Sequence, residues 1–177
     1  MHACLAALVF LLCLLVGAHE VRADSQRQAG DFLATAMPLA TLGTELFRGD
    51  REGAWQFTMT FAASIATTEV LQRTTHVERP DRSNDHSFPS GHAARAFSSA
   101  AYVRQRHGFD VAWPMYIAAL YVGYTRVEAD RHSWTDVAGA ALVSELAAWW
   151  LVEPESKVVV MPMVGRRYVG VHLAARW

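Results

Sequence analysis

Three short clusters hold the residues of this chain that are able to do chemistry: Arg79-Pro80, Pro89-Ser90-Gly91-His92, and Arg126-x5-His132-x3-Asp136. Two arginines, two histidines and a carboxylate form a set that can hold a phosphate and attack it. Cleaving a phosphomonoester without a metal needs fixed donors on the equatorial oxygens, a nucleophile in line, and a proton for the leaving oxygen. Arg79 and Arg126 carry planar, permanently charged donor forks. Ser90 and Gly91 precede a helix, so their backbone N–H groups and the Ser90 hydroxyl can cradle an anion at its positive end. His92, in the first turn, is placed to protonate a leaving group. His132 and Asp136 are four residues apart and share a face if one helix covers both. A carboxylate on one ring nitrogen fixes the tautomer and leaves the other nitrogen free to attack.

Each residue also has a plainer explanation. Ser133-x-x-Asp136 fits a helix capping box, and for Asp136 taken alone that explanation is the stronger one. His92 alone would be a partly buried or surface histidine, and Arg79 an ordinary loop residue. The joint occurrence of all three clusters, which capping does not explain, favours a site, and Asp136 can cap and act at once. Glu128 and Asp130 read as solvated loop carboxylates. His76, His86 and His107 read as loop or surface histidines. None of these shows a zinc-ligand spacing, so neither a metal nor a cofactor is expected.

The elements that must position these residues are mostly helical. A first helix is expected from Asp31, as N-cap, to about Phe47, kinked at Pro38. Gly49-Asp50 closes it and starts a second, about Arg51 to Thr75. That helix carries a polar stripe of Gln56, Thr60, Ser64 and Thr67 amid Trp55, Phe57, Met59, Phe61, Ile65, Val70 and Leu71, and so reads as mostly enclosed by others. After a polar loop from Pro80 to Pro89, a third helix starts near Ser90-Gly91 and ends at Gly108. A fourth is expected from about Ala112 to Arg126, with Pro114 in its first turn, and a fifth from Ser133 to about Leu151. Beyond Glu153-Pro154, Lys157–Val164 and the alternating run from Tyr168 read as two strands. A lone hairpin is marginal in water, so docking on the bundle is expected. The fold class is mainly α: a compact bundle of about five helices with a small C-terminal β-hairpin.

Leu5 to Ala18 is an apolar run of 14 residues, too short to span a bilayer comfortably. With Val21-Arg22-Ala23 as cleavage site, residues 1–23 read as a secretory signal peptide. That leaves a helical domain over 24–152 and the hairpin extension over 153–177. Both cysteines, Cys4 and Cys13, fall in the leader, so a mature chain would have neither disulfides nor a thiolate metal site. The net charge of −1 argues against a general nucleic-acid or anionic-membrane binder. Lys157 is the only lysine among 16 basic residues. No apolar stretch after the leader reaches the ~18 residues of a spanning helix. Val111–Tyr124 and Val137–Val152 come nearest and read as buried helices, with a peripheral or partly inserted arrangement left open.

Together these residues resemble the three signature motifs of the phosphatidic acid phosphatase type 2 and vanadium haloperoxidase superfamily. The likeness covers about residues 72–136, and the second and third motifs are highly specific in combination. It implies a helical bundle in which His132 forms a phosphohistidine, Asp136 supports it and His92 is the general acid. Arg79, Arg126, Ser90 and Gly91 would bind the phosphate. Gln72 stands where the family's first motif begins with lysine, and Thr125 where a serine is usual before the arginine. Gln72 can still donate a hydrogen bond to phosphate but brings no charge, and Arg73 beside it is a candidate replacement. The implied function is an exported, periplasmic, metal-independent phosphatase whose partner is a phosphate-bearing small molecule or lipid. Two alternatives stand: a catalytically weakened phosphate-binding or membrane-associated protein, and a vanadate-dependent haloperoxidase.

Overall fold

The computed structural model describes side chains over residues 25–155, and backbone for most of the rest. Five helices follow in order: α1 (His2–Arg48), α2 (Arg51–Thr75), α3 (Gly91–His107), α4 (Phe109–Glu128) and α5 (Trp134–Leu151). The mainly helical five-element architecture is therefore as the periodicity predicts. Beyond Glu155 the backbone runs as two antiparallel strands, Lys157–Gly165 and Tyr168–Arg176. Their side chains, and so the docking of the expected hairpin, lie outside the described residues. The leader expected over 1–23 does so too.

Helix α3 is the axis of the bundle. Ala93, Ala94, Ala96, Phe97, Ala100, Ala101, Tyr102 and Val103 are all buried, and they face more than one neighbour. Small side chains allow this, because alanine and serine let other helices approach closely on several sides. Phe57 of α2 meets Tyr102 edge-on at 5.2 Å, a geometry worth about 1 kcal/mol beyond area burial. Ser144 of α5 donates to the Ala94 carbonyl at 3.2 Å.

Three expectations need correction. Asp31 is not an N-cap: α1 continues through it, and also through Pro38. Helix α4 starts at Phe109 rather than Ala112, so Pro114 lies in its second turn. Helix α2 is not enclosed. Gln56, Thr60, Ser64 and Thr68 point inward, while Trp55 and Val70 are exposed. The polar stripe is thus the buried face, with Thr68 rather than Thr67 as its last member. Thr60 and Ser64 satisfy their hydroxyls on the Gln56 and Thr60 carbonyls, each at 2.8 Å, which is how such residues are accommodated inside a helix bundle.

Helices α4 and α5 share this inverted character. Trp113, Ile117, Leu120, Leu142, Leu146, Trp149 and Trp150 are exposed, Trp150 at 82%, whereas both helices were expected to be buried. Their inward faces carry Ala112, Ala119, Val122, Gly123, Val137, Ala140, Ser144 and Ala148. Among the described residues no helix is long and apolar enough to cross a membrane.

Candidate active site

The site lies where the start of α3, the end of α4 and the start of α5 meet the loop after α2. Ser90 is the N-cap of α3, and its hydroxyl accepts from Ala93 N at 3.5 Å. Its own backbone N–H donates to the Asp136 carbonyl at 3.0 Å, which ties the α3 start to α5. Gln72 Nε2 donates to the Pro89 carbonyl at 2.7 Å. A methyl group on Gly91 would come within 3.8 Å of the same nitrogen. Gln72 therefore stands at the Pro89–Gly91 turn, which it braces. Arg73 does not replace the missing charge: it is exposed and paired with Glu69 at 2.6 Å.

His132 precedes α5 rather than lying in it, because the helix begins at Trp134 with Ser133 as N-cap. The backbone holds it there through His132 N–H to the Arg126 carbonyl, 3.3 Å. Its Nδ1 is 2.9 Å from the Ser87 carbonyl and 3.8 Å from Asp136 Oδ2. The expected ring-to-carboxylate hydrogen bond is therefore replaced by a relay. A carbonyl can only accept, so Nδ1 carries the hydrogen and Nε2 keeps a free lone pair. Ser87 Oγ in turn donates to Asp136 Oδ2 at 2.7 Å. The same carboxylate oxygen accepts from Ser133 N–H at 2.7 Å, which completes the capping box. Capping and support of the histidine are one arrangement here, not rivals.

Burial, then the nearby Arg79 guanidinium, pushes the His132 pKa down to about 4. Its ring is thus neutral, and its lone pair available, over almost the whole pH range in which proteins fold. His92 is shifted in the same direction by burial and by Arg126, against the pull of Asp31. Arg79 has a buried Nε with no hydrogen-bond partner within the described residues. A buried charged donor left open is what an incoming oxyanion would satisfy.

Arg126 is 5% exposed and reaches α1. Its Nη1 is 2.7 Å from Asp31 Oδ1, and its Nη2 donates to the Arg27 carbonyl at 2.9 Å. The same Asp31 oxygen lies 3.1 Å from His92 Nε2. Helix α1 comes this close because residue 30 is glycine; a Cβ there would collide with Thr125 Oγ1 and touch Arg126 Nη2.

The structure thus brings Gln72, Arg79, Ser90, Gly91, His92, Arg126, His132 and Asp136 to one place, and adds Ser87 and Asp31. Sequence reasoning missed Ser87 and read Asp31 as a cap. Asp31 is the single acidic residue between Asp24 and Glu45, a signal that could have marked it. Glu128 and Asp130 are exposed, as expected. His76 and His86 are exposed histidines that both pair with Asp85. His107 departs from expectation: it is buried between Glu45 and Glu155.

Two arginines, two histidines and a helix N-terminus thus gather at one end of a helical bundle. A family model, the PAP2 superfamily, matches residues 53–157. The chain belongs to the PAP2 superfamily. Over 78 residues it is 38% identical to the lipid A 1-phosphatase of Porphyromonas gingivalis, covering 40% of this chain and 18% of that protein. Over 110 residues it is 28% identical to the lipid A 4'-phosphatase of Helicobacter pylori, covering 56% of this chain and 54% of that protein. The matches thus span about half or less of these curated relatives. The crystal structure of Aquifex aeolicus LpxE superposes with a TM-score of 0.62 at 18% identity, over 73% of this chain and 84% of that one, a likeness of fold.

Proposed function

We propose that this protein is a metal-independent phosphatase that removes phosphate from phosphorylated lipids through a phosphohistidine on His132. The observation that carries the reading is the state of His132: neutral, with Nδ1–H spent on Ser87 and Nε2 free, near Arg79, whose buried Nε has no partner among the described residues. In the first step Nε2 attacks phosphorus while the ester P–O bond breaks, and His92 gives its proton to the leaving oxygen. In the second, His92 takes a proton from water as that water attacks phosphorus. The P–N bond breaks, phosphate departs, and both histidines return to their starting states. Arg79, Arg126, the Gly91 amide and the α3 N-terminus would stabilise the phosphoryl oxygens; the Ser90 amide, expected among them, is given to the Asp136 carbonyl instead and fixes the loop. Gln72 would brace that loop without adding charge.

Three features support a lipid substrate. The relatives are lipid A phosphatases by name. The outer faces of α4 and α5 form an exposed apolar and tryptophan-rich surface, of the kind that meets lipid or another protein. A mainly apolar cleft of about 410 Å³ between α1 and α2, lined by Ala34, Pro38, Leu42, Phe57, Phe61 and Ile65, also counts in its lining Arg95, whose charge acts on His92. Membrane contact through these surfaces, and export by the 1–23 leader to the periplasm, complete the reading.

The test is phosphate release from a lipid phosphate in detergent micelles and from a soluble monoester, each with and without chelator. Release surviving chelation, blocked by orthovanadate and reduced at least ~10³-fold in His132→Ala, is the expected result. Equal activity in that variant would sink the mechanism. The free enzyme should work best in acid. The nucleophile is lost only below about pH 4, whereas the acid, its pKa lowered, deprotonates below its usual 6.5.

A further inference from the structure

His92 presents a charge problem to any mechanism in which it is the acid. It must begin each turnover protonated. Burial works against that, and so do Arg126 of α4, Arg95 of its own helix and Arg79 of the loop. Of the charges acting on it, the Asp31 carboxylate is the one that favours the proton. His132, the other ring in the site, is held neutral.

We propose that Asp31 is the positioning residue of the general acid, fixing His92 through Nε2 and Arg126 through Nη1 so that His92 Nδ1 faces the leaving oxygen. One carboxylate oxygen makes both contacts, at 3.1 and 2.7 Å. The role is the counterpart of the one played by Ser87 at His132. There a neutral carbonyl holds Nδ1 and leaves Nε2 as a nucleophile. Here an anion stands at ion-pair distance, 3.1 Å, from Nε2; a Nε2–H bond closed onto it leaves Nδ1–H as the donor, since only the imidazolium can donate from both nitrogens. When His92 passes its Nδ1 proton to the leaving oxygen, Nε2–H stays on Asp31. The ring is then a base, correctly oriented for the water of the second step. Gly30 permits this contact, because α1 could not otherwise lie against Thr125 and Arg126.

The proposal rests on the phosphatase reading above, and its test separates the two. Asp31→Asn keeps the shape and a hydrogen-bonding oxygen but removes the charge; Asp31→Glu keeps the charge. In Asp31→Asn the His92 ring, followed by NMR titration, should lose its proton at a lower pH, and the basic limb of kcat/KM should move down by about one unit. Turnover should fall about tenfold or more for an alkyl phosphate, whose leaving oxygen needs the proton, and much less for a nitrophenyl phosphate, whose leaving group does not. Asp31→Glu should recover part of the alkyl ester rate. A structural role alone would lower both esters equally and leave the titration in place; either of those results overturns the proposal. A parent protein that releases phosphate from neither ester sinks the phosphatase reading instead. The titration would then still decide whether Asp31 sets the protonation of His92.

Discussion

Helix α1 makes the same kind of contact with α3 at both ends, and the two ends do different things. Asp31 meets His92 at the first turn of α3, and Glu45 meets His107 at the last. The two carboxylates are about four turns apart on one face of α1. At the far end the pair is closed: Glu45 is 2% and His107 9% exposed. His107 uses both ring nitrogens, Nε2 on Glu45 at 2.6 Å and Nδ1 on Glu155 at 2.9 Å. Arg48 clamps Glu155 at 3.0 Å, and Arg106 holds Asp50, the N-cap of α2, at 2.6 Å. At the site end Asp31 is about half exposed and His92 38%, with Arg79 Nε left unpaired. Charges paired with one another hold helix ends in register, even with Glu45 Oε2 left over inside the cluster. Charges left accessible are available to a ligand.

The largest expected effect breaks this comparison from the structural side. His107→Ala leaves Glu45 buried without its partner, which should destabilise the fold by about 3 kcal/mol, read as a lowered midpoint in chemical denaturation. Turnover per folded molecule should hold, and a specific loss of catalysis would show that the far end also serves the reaction. A smaller effect sharpens the site end. Gly30→Ala pushes α1 away from Thr125 and Arg126, and kcat/KM should drop about tenfold, or about 1.4 kcal/mol of transition-state stabilisation. A rate within twofold of the parent would mean that α1 contributes little to the site. The smallest effect concerns Gln72. A lysine there can still reach the Pro89 carbonyl and adds a charge, so Gln72→Lys should raise kcat/KM and vanadate affinity roughly three- to tenfold. A far greater gain from near-zero activity would favour the weakened, phosphate-binding alternative for the natural chain.

Much of this could be read before the structure. Glycine at 108, the Ser90-Gly91 and Ser133 starts, and helical periodicity place α3 and α5 closely, because caps are local chemistry. The convergence of the three clusters could be anticipated only through family resemblance, since nothing local connects residues 72, 90 and 132. The faces of α2, α4 and α5 were misjudged for a related reason. Hydrophobicity normally points inward, and here small and polar residues such as Thr60, Ser64 and Ala140 do so, while Trp55, Trp149 and Trp150 point out.

What the sequence by itself determined is the inventory: the cations, the two histidines, the helix starts that present them, and the uncharged Gln72 in the first motif. Those properties follow from residue identity and from interactions within a few positions. Only the tertiary structure decided that His132 is held by the Ser87 carbonyl rather than by Asp136, and that Asp31 is a partner of His92 rather than a cap. Both contacts join segments 45 or more residues apart. Packing around an alanine-rich α3 and the missing side chain of Gly30 bring them together, and no periodicity or spacing encodes such a distance.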